Sequence, residues 1–269
     1  MNLFQEISMH NVKSMGTKNI RRFIAIGILS VFPIMTAIAQ DTLFVYGPGG
    51  PAPAMKEAAA AFEKQHGSKV EVTVGPTPSW IAKARENADV IYSGSETMMT
   101  DSTATMEGRI VEQTILPLYL RPLSILVRPG NPKRISGVKD LLKPGTKILV
   151  VNGAGQNGVW EDMAGRKGNI ETVRIIRNNI VSYAANSAVA RETWTKQPDI
   201  DVWLIWNIWQ VSNPSLADAV AIEPDYAIYR DTGVGLTVQG TTKPAAKQFV
   251  EFLRSPEGAG IFKKWGWKG

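Results

Sequence analysis

Three glycines lie between a short apolar run and the start of a helical pattern, an arrangement that suits the binding of an anion. The run, 148–151, is short enough for a buried strand. Gly153, Gly155 and Gly158 follow it, and residues 159–164 then have the pattern of the first turns of a helix. The N-terminus of a helix presents unpaired backbone N–H groups and a partial positive charge. The stretch is therefore predicted to form an anion-binding loop.

The same glycine spacing matches the dinucleotide-binding pattern G-x-G-x-x-G. That site needs an acidic residue about 20 positions further on, at the end of a second strand, to hold the ribose. Residues 171–179 occupy that region, but they are basic and have a helical pattern. A dinucleotide cofactor is therefore not expected. A tight turn that binds nothing remains the alternative to an anion-binding loop.

The residue composition argues against catalysis. The 269-residue chain is 44% hydrophobic and 20% charged, as in a globular protein. It has no cysteine, which excludes a thiolate nucleophile, a disulfide and a zinc–cysteine site. His10 and His66 are its two histidines. Neither G-x-S-x-G nor the full serine–lysine signature, S-x-x-K together with S-D-N and K-T-G, occurs. We therefore predict a protein that is not an enzyme and that needs no cofactor or metal ion.

Residues 1–39 have the features of a secretory signal peptide. Several basic residues precede an apolar stretch, 23–34, and the Ala-x-Ala signature that ends at Ala39 indicates a cleavage site. The apolar stretch is short for a membrane anchor, which is the alternative. The sequence thus predicts a periplasmic protein, soluble after cleavage. Cleavage would remove four basic residues and one acidic residue, which lowers the formal net charge from +6 to +3. This mild positive charge weakly favours acidic small ligands, and no basic stripe or aromatic RNA-binding motif indicates nucleic acid.

Strand and helix patterns alternate along the rest of the chain. Predicted strands occupy 43–46, 70–74, 89–92, 123–127, 148–151, 202–206 and 235–238, with a further extended segment at 226–230. Such alternation predicts an α/β architecture with largely parallel sheets. In sheets of this kind ligands bind beyond the carboxyl ends of the strands, where the polar glycine and serine loops of this chain fall. Loops of this kind before and after residue 120 predict two lobes that face one cleft.

Six segments spread over residues 43–267 carry a family likeness. They are Val45–Met55, Tyr92–Glu96, Leu118–Pro122, Val127–Pro132, Val150–Gln156 and Phe252–Gly258. In these segments the chain resembles the periplasmic solute-binding proteins of ABC transporters, in the molybdate/sulfate-type group. Within that group it is similar to the accessory colonization factor AcfC family.

The resemblance implies a two-lobe periplasmic binding protein fold (type II), with the ligand cleft between the lobes. Lobe 1 would be discontinuous, 40–120 plus 230–269, and lobe 2 would span 121–229. Two crossing strands near Leu120 and Tyr229 would form the hinge. The resemblance further implies a monomeric receptor for a small anion that serves an ABC permease or a chemoreceptor. A colonisation or adhesion protein without a transport role, on the same fold, is the alternative.

The contacts of related oxyanion binders carry over to several loops of this chain. They imply a ligand-binding set made of Gly49, Gly50, Ser93, Gly94, Ser95, Gly153, Ala154, Gly155, Gln156, Asn186, Ser187, Trp206 and Asn207. Ser95 is also suited to cap a helix, and Trp206, which has tryptophans near it, is also suited to pack in the core. The chain departs from the molybdate binders, because its first loop lacks a serine and Trp206-Asn207 replaces a tyrosine.

Arg121 is the charged residue that the resemblance places at the expected hinge. A guanidinium can form a bidentate pair with a carboxylate, whereas neutral helix termini can hold a tetrahedral oxyanion without one. A surface salt bridge is the alternative role for this side chain. Because the first loop lacks the serine of molybdate binders, we expect a carboxylate-bearing ligand, such as a dicarboxylate or an acidic amino acid. Sulfate and molybdate are the competing ligands.

Overall fold

Strands and helices alternate in the computed structural model, which describes residues 42–269; the predicted signal peptide, 1–39, lies outside the described residues. The strands are β1 (Leu43–Gly47), β2 (Val70–Val74), β3 (Val90–Tyr92), β4 (Leu116–Val127), β5 (Ile148–Val151), β6 (Ile180–Ala184), β7 (Val202–Trp206), β8 (Asp218–Ala221) and β9 (Tyr229–Leu236). The helices are α1 (Ala52–His66), α2 (Ile81–Asn87), α3 (Glu96–Thr105), α4 (Val138–Leu141), α5 (Val159–Ala164), α6 (Ile170–Asn179), α7 (Ser187–Lys196), α8 (Ile208–Ser212), α9 (Val238–Thr242), α10 (Pro244–Arg254) and α11 (Pro256–Lys264).

Local sequence signals set the ends of several helices. Asn186 caps α7, because its side-chain oxygen accepts the N–H groups of Ala188 and Val189 at 3.0 Å each. Ser255 caps α11 in the same way. Gly67 ends α1 in the left-handed conformation that glycine adopts without strain, as the sequence predicts.

The strands form one mixed sheet in the order β2-β1-β3-β9-β4-β7-β5-β6, with β8 paired to β4. Pairing is parallel within β1–β3 and within β5–β7, which we call the first and the second sheet half. The antiparallel pairings between these named strands all involve β4 or β9. The two halves are therefore joined by a pair of long antiparallel strands that run from one half into the other.

The β4–β9 pair lies where the resemblance expects the crossing strands. Its register runs from Leu116 opposite Val234 to Pro122 opposite Tyr229. Leu120, which was expected near the crossing, pairs with Asp231. The lobe boundaries at 120 and 230 stay a prediction.

The crossing region is also where the sequence-based assignment is least accurate. The pattern predicts a strand from Leu123, whereas β4 begins at Leu116 and includes two prolines. It tolerates Pro117 because the register shifts directly after that residue. The segments 226–230 and 235–238, predicted separately, contribute to one strand, β9, which is followed by α9. The short and mostly exposed β8 carries no pattern that would reveal it.

Aromatic rings join the helices to the core of the sheet. The ring of Phe62 on α1 packs edge-on against Phe249 of α10, with centroids 5.2 Å apart. Trp194 of α7 packs on Trp203 of β7 at 6.1 Å. Burying one such side chain stabilises a fold by about 1.5–3 kcal/mol. Within residues 42–269, the longest apolar helices fall short of what a bilayer span requires.

Candidate functional site

A cavity of about 700 Å³ lies at the carboxyl ends of the parallel strands of both sheet halves. Loops that follow β1, β2 and β3 line one wall, and loops that follow β5, β6 and β7 line the other. This is where the architecture places a ligand, and the volume suits a small molecule. The predicted binding residues that line the cavity are Gly49, Gly50, Gly94, Arg121, Ala154, Gln156, Asn186, Ser187 and Trp206.

The wall from the first sheet half consists mainly of backbone and proline. Gly49 and Gly50 lead into α1, whose start contains Pro51 and Pro53. Proline carries no N–H, so the beginning of α1 offers fewer donors than an ordinary helix N-terminus. This loop can therefore approach a ligand closely, but it supplies little of the hydrogen bonding that a bare oxyanion requires.

The wall from the second sheet half is more polar. Gln156 is buried, and its amide donates to the hydroxyl of Ser187 at 2.8 Å. The side-chain oxygen of Asn186 is engaged in capping α7. The backbone N–H of Ser187, in the first position of that helix, has no intrahelical partner. A helix start, a hydroxyl and an amide therefore meet on this wall.

The two walls are in contact where Ser95 approaches the glycine loop. Its hydroxyl caps α3 by accepting the N–H of Met98 at 3.1 Å and donates to the carbonyl of Gly155 at 3.4 Å. Gly155 has a φ of 74°, and a Cβ there would lie 2.7 Å from the Ser95 oxygen. Ser95 is thus a helix cap, as the alternative interpretation holds, and it also joins the two halves across the cavity.

Arg121 lies at the centre of the site. It is 4% exposed, and its guanidinium lies between the rings of Trp206 and Trp267, 4.8 Å and 4.9 Å from their centroids. One terminal nitrogen donates to the carbonyl of Gly94. Its other terminal nitrogen and its Nε have no partner among the described residues. The surface salt bridge considered for Arg121 is therefore wrong, because the side chain is buried.

Two glycines allow the guanidinium to occupy this position. A Cβ on Gly50 would lie 3.2 Å from one terminal nitrogen of Arg121, and a Cβ on Gly94 would lie 3.2 Å from the other. Burial lowers the pKa of Arg121 to about 9, an effect that the charge of Asp231 partly opposes. The lowered pKa means that the folded protein does not fully compensate this positive charge.

The cavity has a positive electrostatic character. Lys56 and Arg191, which the sequence analysis did not single out, line it together with Arg121. None of the described residues that line it is an aspartate or a glutamate. Such a concave surface attracts anions. Lys56 and Arg191 fall within two different predicted helices. No signal in the sequence indicates that the two side chains line the same cavity.

Trp206 takes both roles considered for it. Its ring is 1% exposed within the core and also lines the cavity. Its indole N–H has no partner among the described residues. A buried donor of this kind is costly unless a ligand or water accepts from it.

The other predicted binding residues lie behind the cavity surface. Ser93 accepts the N–H of Gly233 at 3.2 Å, and Asn207 donates to the carbonyl of Gly266 at 2.8 Å. Gly153 packs so tightly that a Cβ would lie 2.3 Å from the carbonyl oxygen of Ala185. Together with Ser95 and Gly155, these residues shape and support the walls.

Comparison with known proteins identifies the same architecture. Residues 43–268 match the family model described as bacterial extracellular solute-binding protein. The chain is 38% identical to PEB3 solved with L-phospholactate bound, with a TM-score of 0.80, over 84% of this chain and 99% of that one. PEB3, an AcfC-like protein, comes from Campylobacter jejuni.

More distant relatives belong to the molybdate/sulfate-type group. The sulfate-binding protein of Escherichia coli (strain K12) is 24% identical over an alignment of 188 residues, and the match covers 58% of this chain. The match spans 55% of that protein, so the chain covers about half the length of its curated relatives. The periplasmic molybdate-binding protein of Azotobacter vinelandii, 17% identical with a TM-score of 0.65, covers 84% of this chain and 98% of its own and shares the fold.

These matches confirm the two-lobe α/β fold and the resemblance on which the sequence analysis relied. The match to the family model extends over most of the described residues, and the cavity lies where that architecture places a ligand. The chain therefore belongs to the family of bacterial extracellular solute-binding proteins.

Proposed function

We propose that this protein is a periplasmic receptor that captures a small organic anion, one bearing a carboxylate or a phosphate ester, between its two lobes. The observation that carries the proposal is Arg121, a buried cation in the cavity with two of its nitrogens without a hydrogen-bond partner among residues 42–269. An unpaired buried charge is costly, and a bound anion removes that cost. A guanidinium also matches the two oxygens of a carboxylate or a phosphate.

The size of the cavity supports an organic anion over a bare oxyanion. About 700 Å³ is within the range of sites that hold small organic molecules. PEB3, which is 38% identical, binds L-phospholactate, a molecule with both a carboxylate and a phosphate. The proline-rich start of α1 also limits the donors available to a tetrahedral ion.

Sulfate is the second candidate ligand. It is favoured by the relationship to sulfate-binding proteins and by the start of α7 in the second wall. Whichever of the two ligands binds, we propose that lobe 1 (40–120 plus 230–269) and lobe 2 (121–229) close around the bound ligand. We further propose that the protein acts as a soluble monomer and delivers its ligand to an ABC permease or a chemoreceptor.

A melting experiment on the purified protein tests the choice of ligand. The probes are L-phospholactate, malate, L-aspartate, citrate, sulfate and molybdate, each added to wild type and to Arg121→Ala. A ligand at a hundredfold excess over its Kd stabilises the folded state by about 2.7 kcal/mol, which gives a measurable rise in Tm. We expect the rise with at least one of the four organic anions, and its loss in Arg121→Ala.

Arg128→Ala is the matched control, because it also removes an arginine that stacks on tryptophan but does not line the cavity. It should melt lower than wild type and keep the ligand-dependent rise. A rise with sulfate or molybdate alone that survives in Arg121→Ala would contradict the proposal in favour of the oxyanion. No rise with any of the six probes would contradict both.

A further inference from the structure

Two cationic side chains, one on each wall of the cavity, stand at its mouth. Lys56 is the fifth residue of α1, and Arg191 is the fifth residue of α7. Both residues line the cavity and both are exposed, whereas Arg121 is buried within it. Side chains on a helix lean towards its N-terminus, and α1 and α7 both begin at the cavity. Lys56 and Arg191 therefore reach into the same space from opposite walls.

The fold supplies no acidic partner for either side chain. Neither Lys56 nor Arg191 takes part in an ion pair within 4.0 Å among residues 42–269. The carboxylates that directly follow them in the chain are bound by other lysines, Glu57 by Lys264 at 2.9 Å and Glu192 by Lys196 at 2.5 Å. The described lining of the cavity contains no aspartate or glutamate. Both positive charges thus face a cavity whose described walls do not neutralise them.

The cations of the cavity lie at two depths. Arg121 is 4% exposed and has two unpartnered nitrogens among the described residues, whereas Lys56 and Arg191 lie at the surface. An anionic group bound at Arg121 leaves the two outer cations unmatched. Like charges that face each other across a cleft repel, and the repulsion grows as the cleft narrows. A second anionic group between them removes that repulsion.

We propose that Lys56 and Arg191 bind a second anionic group of the ligand, so that the site selects organic molecules with two anionic groups. This inference rests on the proposed function. Arg121 binds one group inside the cavity, and the two outer cations bind the other group at the mouth, one from each wall. The cavity of about 700 Å³ has room for a molecule that carries both groups. A molecule with one anionic group leaves the two outer cations facing each other.

The decisive variants are Lys56→Met and Arg191→Met, which remove one positive charge each from an exposed position. Binding is measured by calorimetry with those of L-phospholactate, malate, L-aspartate and citrate that bind wild type, since all four carry two or more anionic groups. Each variant should bind these ligands about tenfold more weakly, because one charged hydrogen bond is lost. Affinities within about twofold of wild type in both variants would overturn the inference.

Lys64→Met is the matched control for the loss of charge. Lys64 lies on the same helix as Lys56 and does not line the cavity, so this variant should bind as wild type does. Lys56→Arg and Arg191→Lys keep the charge and should stay within about threefold of wild type. If the control loses as much affinity as Lys56→Met, the lysine acts through the overall charge of the protein, and the inference fails.

L-lactate separates the two positions for anionic groups, because it lacks the phosphate of L-phospholactate and the second carboxylate of malate. Its binding is measured by competition with the organic anion that binds wild type. Wild type should bind L-lactate at least about tenfold more weakly than that anion, or not measurably. Equal affinities, or a weakening of L-lactate binding in Lys56→Met and Arg191→Met as large as that of the other anions, would overturn the inference.

Failure of this inference is distinguishable from failure of the proposed function. A wild type that binds none of the six anions of the melting experiment would contradict the proposed function itself. Ligand binding that depends on Arg121 but is unchanged in Lys56→Met and Arg191→Met would contradict only the role of the two outer cations.

Discussion

Two arginines at β4 both stack on tryptophan, and the fold holds them in opposite ways. Arg128, directly after the strand, lies 3.5 Å from the ring centroid of Trp194. Its three guanidinium nitrogens donate to three backbone carbonyls, those of Ile200, Trp194 and Gln197, at 2.8, 3.0 and 2.6 Å. Arg121, in the middle of the strand, donates to one carbonyl and is more deeply buried.

The difference in hydrogen bonding indicates a different role for each arginine. All three guanidinium nitrogens of Arg128 donate to the chain itself, which ties the C-terminal end of α7 to the segment that leads into β7. Two nitrogens of Arg121 have no partner among the described residues, and the cavity that it lines has no acidic group in its described lining. Buried polar groups in folded proteins are almost always paired. The unpaired donors of Arg121 therefore point to a partner from outside the chain.

The largest expected effect concerns stability. Arg128→Met should lower the free energy of unfolding by about 2–3 kcal/mol, because three carbonyls lose a charged donor. Arg121→Met should cost less, because the burial of its charge opposes the gain from its contacts. Urea denaturation of the two ligand-free variants measures both values. Equal losses would show that Arg121 is as structural as Arg128 and would remove the contrast.

A pair of glycines tests whether the cleft must close over Arg121. Gly155 and Gly158 have φ values of 74° and 73°, but only a Cβ on Gly155 would meet the opposite wall, at Ser95. Replacing either by alanine should cost about 1–2 kcal/mol of stability, because alanine is strained in the left-handed region.

Affinity should distinguish the two glycine variants. We expect Gly155→Ala to weaken binding about fivefold, since roughly 1 kcal/mol is needed to move the opposing side chain. Gly158→Ala, which meets nothing within 4 Å, should bind as wild type does. Calorimetry with the anion that stabilises wild type measures the difference. Equal affinities of the two variants would mean that the cleft does not close at the contact between Gly155 and Ser95.

The smallest expected effect concerns the rings that hold Arg121. Trp267→Phe should weaken binding about two- to fivefold, because a cation–π contact contributes about 0.5–1 kcal/mol. Trp265→Phe is the control, since its indole donates to Glu57 at 2.7 Å, away from the cavity. Calorimetry on both variants is the measurement. A larger loss of affinity in Trp265→Phe would mean that the C-terminal segment affects binding through the stability of the fold and not through the contact with Arg121.

Parts of the fold were predictable to the residue because local signals agree there. β5 and β7 are continuous apolar runs with turn residues after them, and both have the predicted bounds. α5 begins and ends as predicted, directly before Gly165. β4 was truncated in the prediction because Pro117 and Pro122 disfavour a strand in isolation, and only pairing with β9 overrides that preference.

The candidate site was predictable in its position but less so in its details. Polar loops at strand ends indicated the cleft, since parallel strands bring their carboxyl ends together. Ser93 and Gly153 looked like wall residues, but hydrogen bonding and close packing place them behind the surface. Lys56 and Arg191 were not predicted as binding residues, because a charged residue on a helix usually faces solvent and binds nothing.

The sequence by itself determined the series of strand, loop and helix, and its composition excluded thiol chemistry and left two histidines. Those features depend on residue type and short spacing. Only the tertiary structure decided that Arg121 is buried, stacked and incompletely paired. Gly94, Trp206, Trp267 and Asp231 are far apart in the chain, and whether they satisfy a guanidinium depends on the distances at which the fold brings them together.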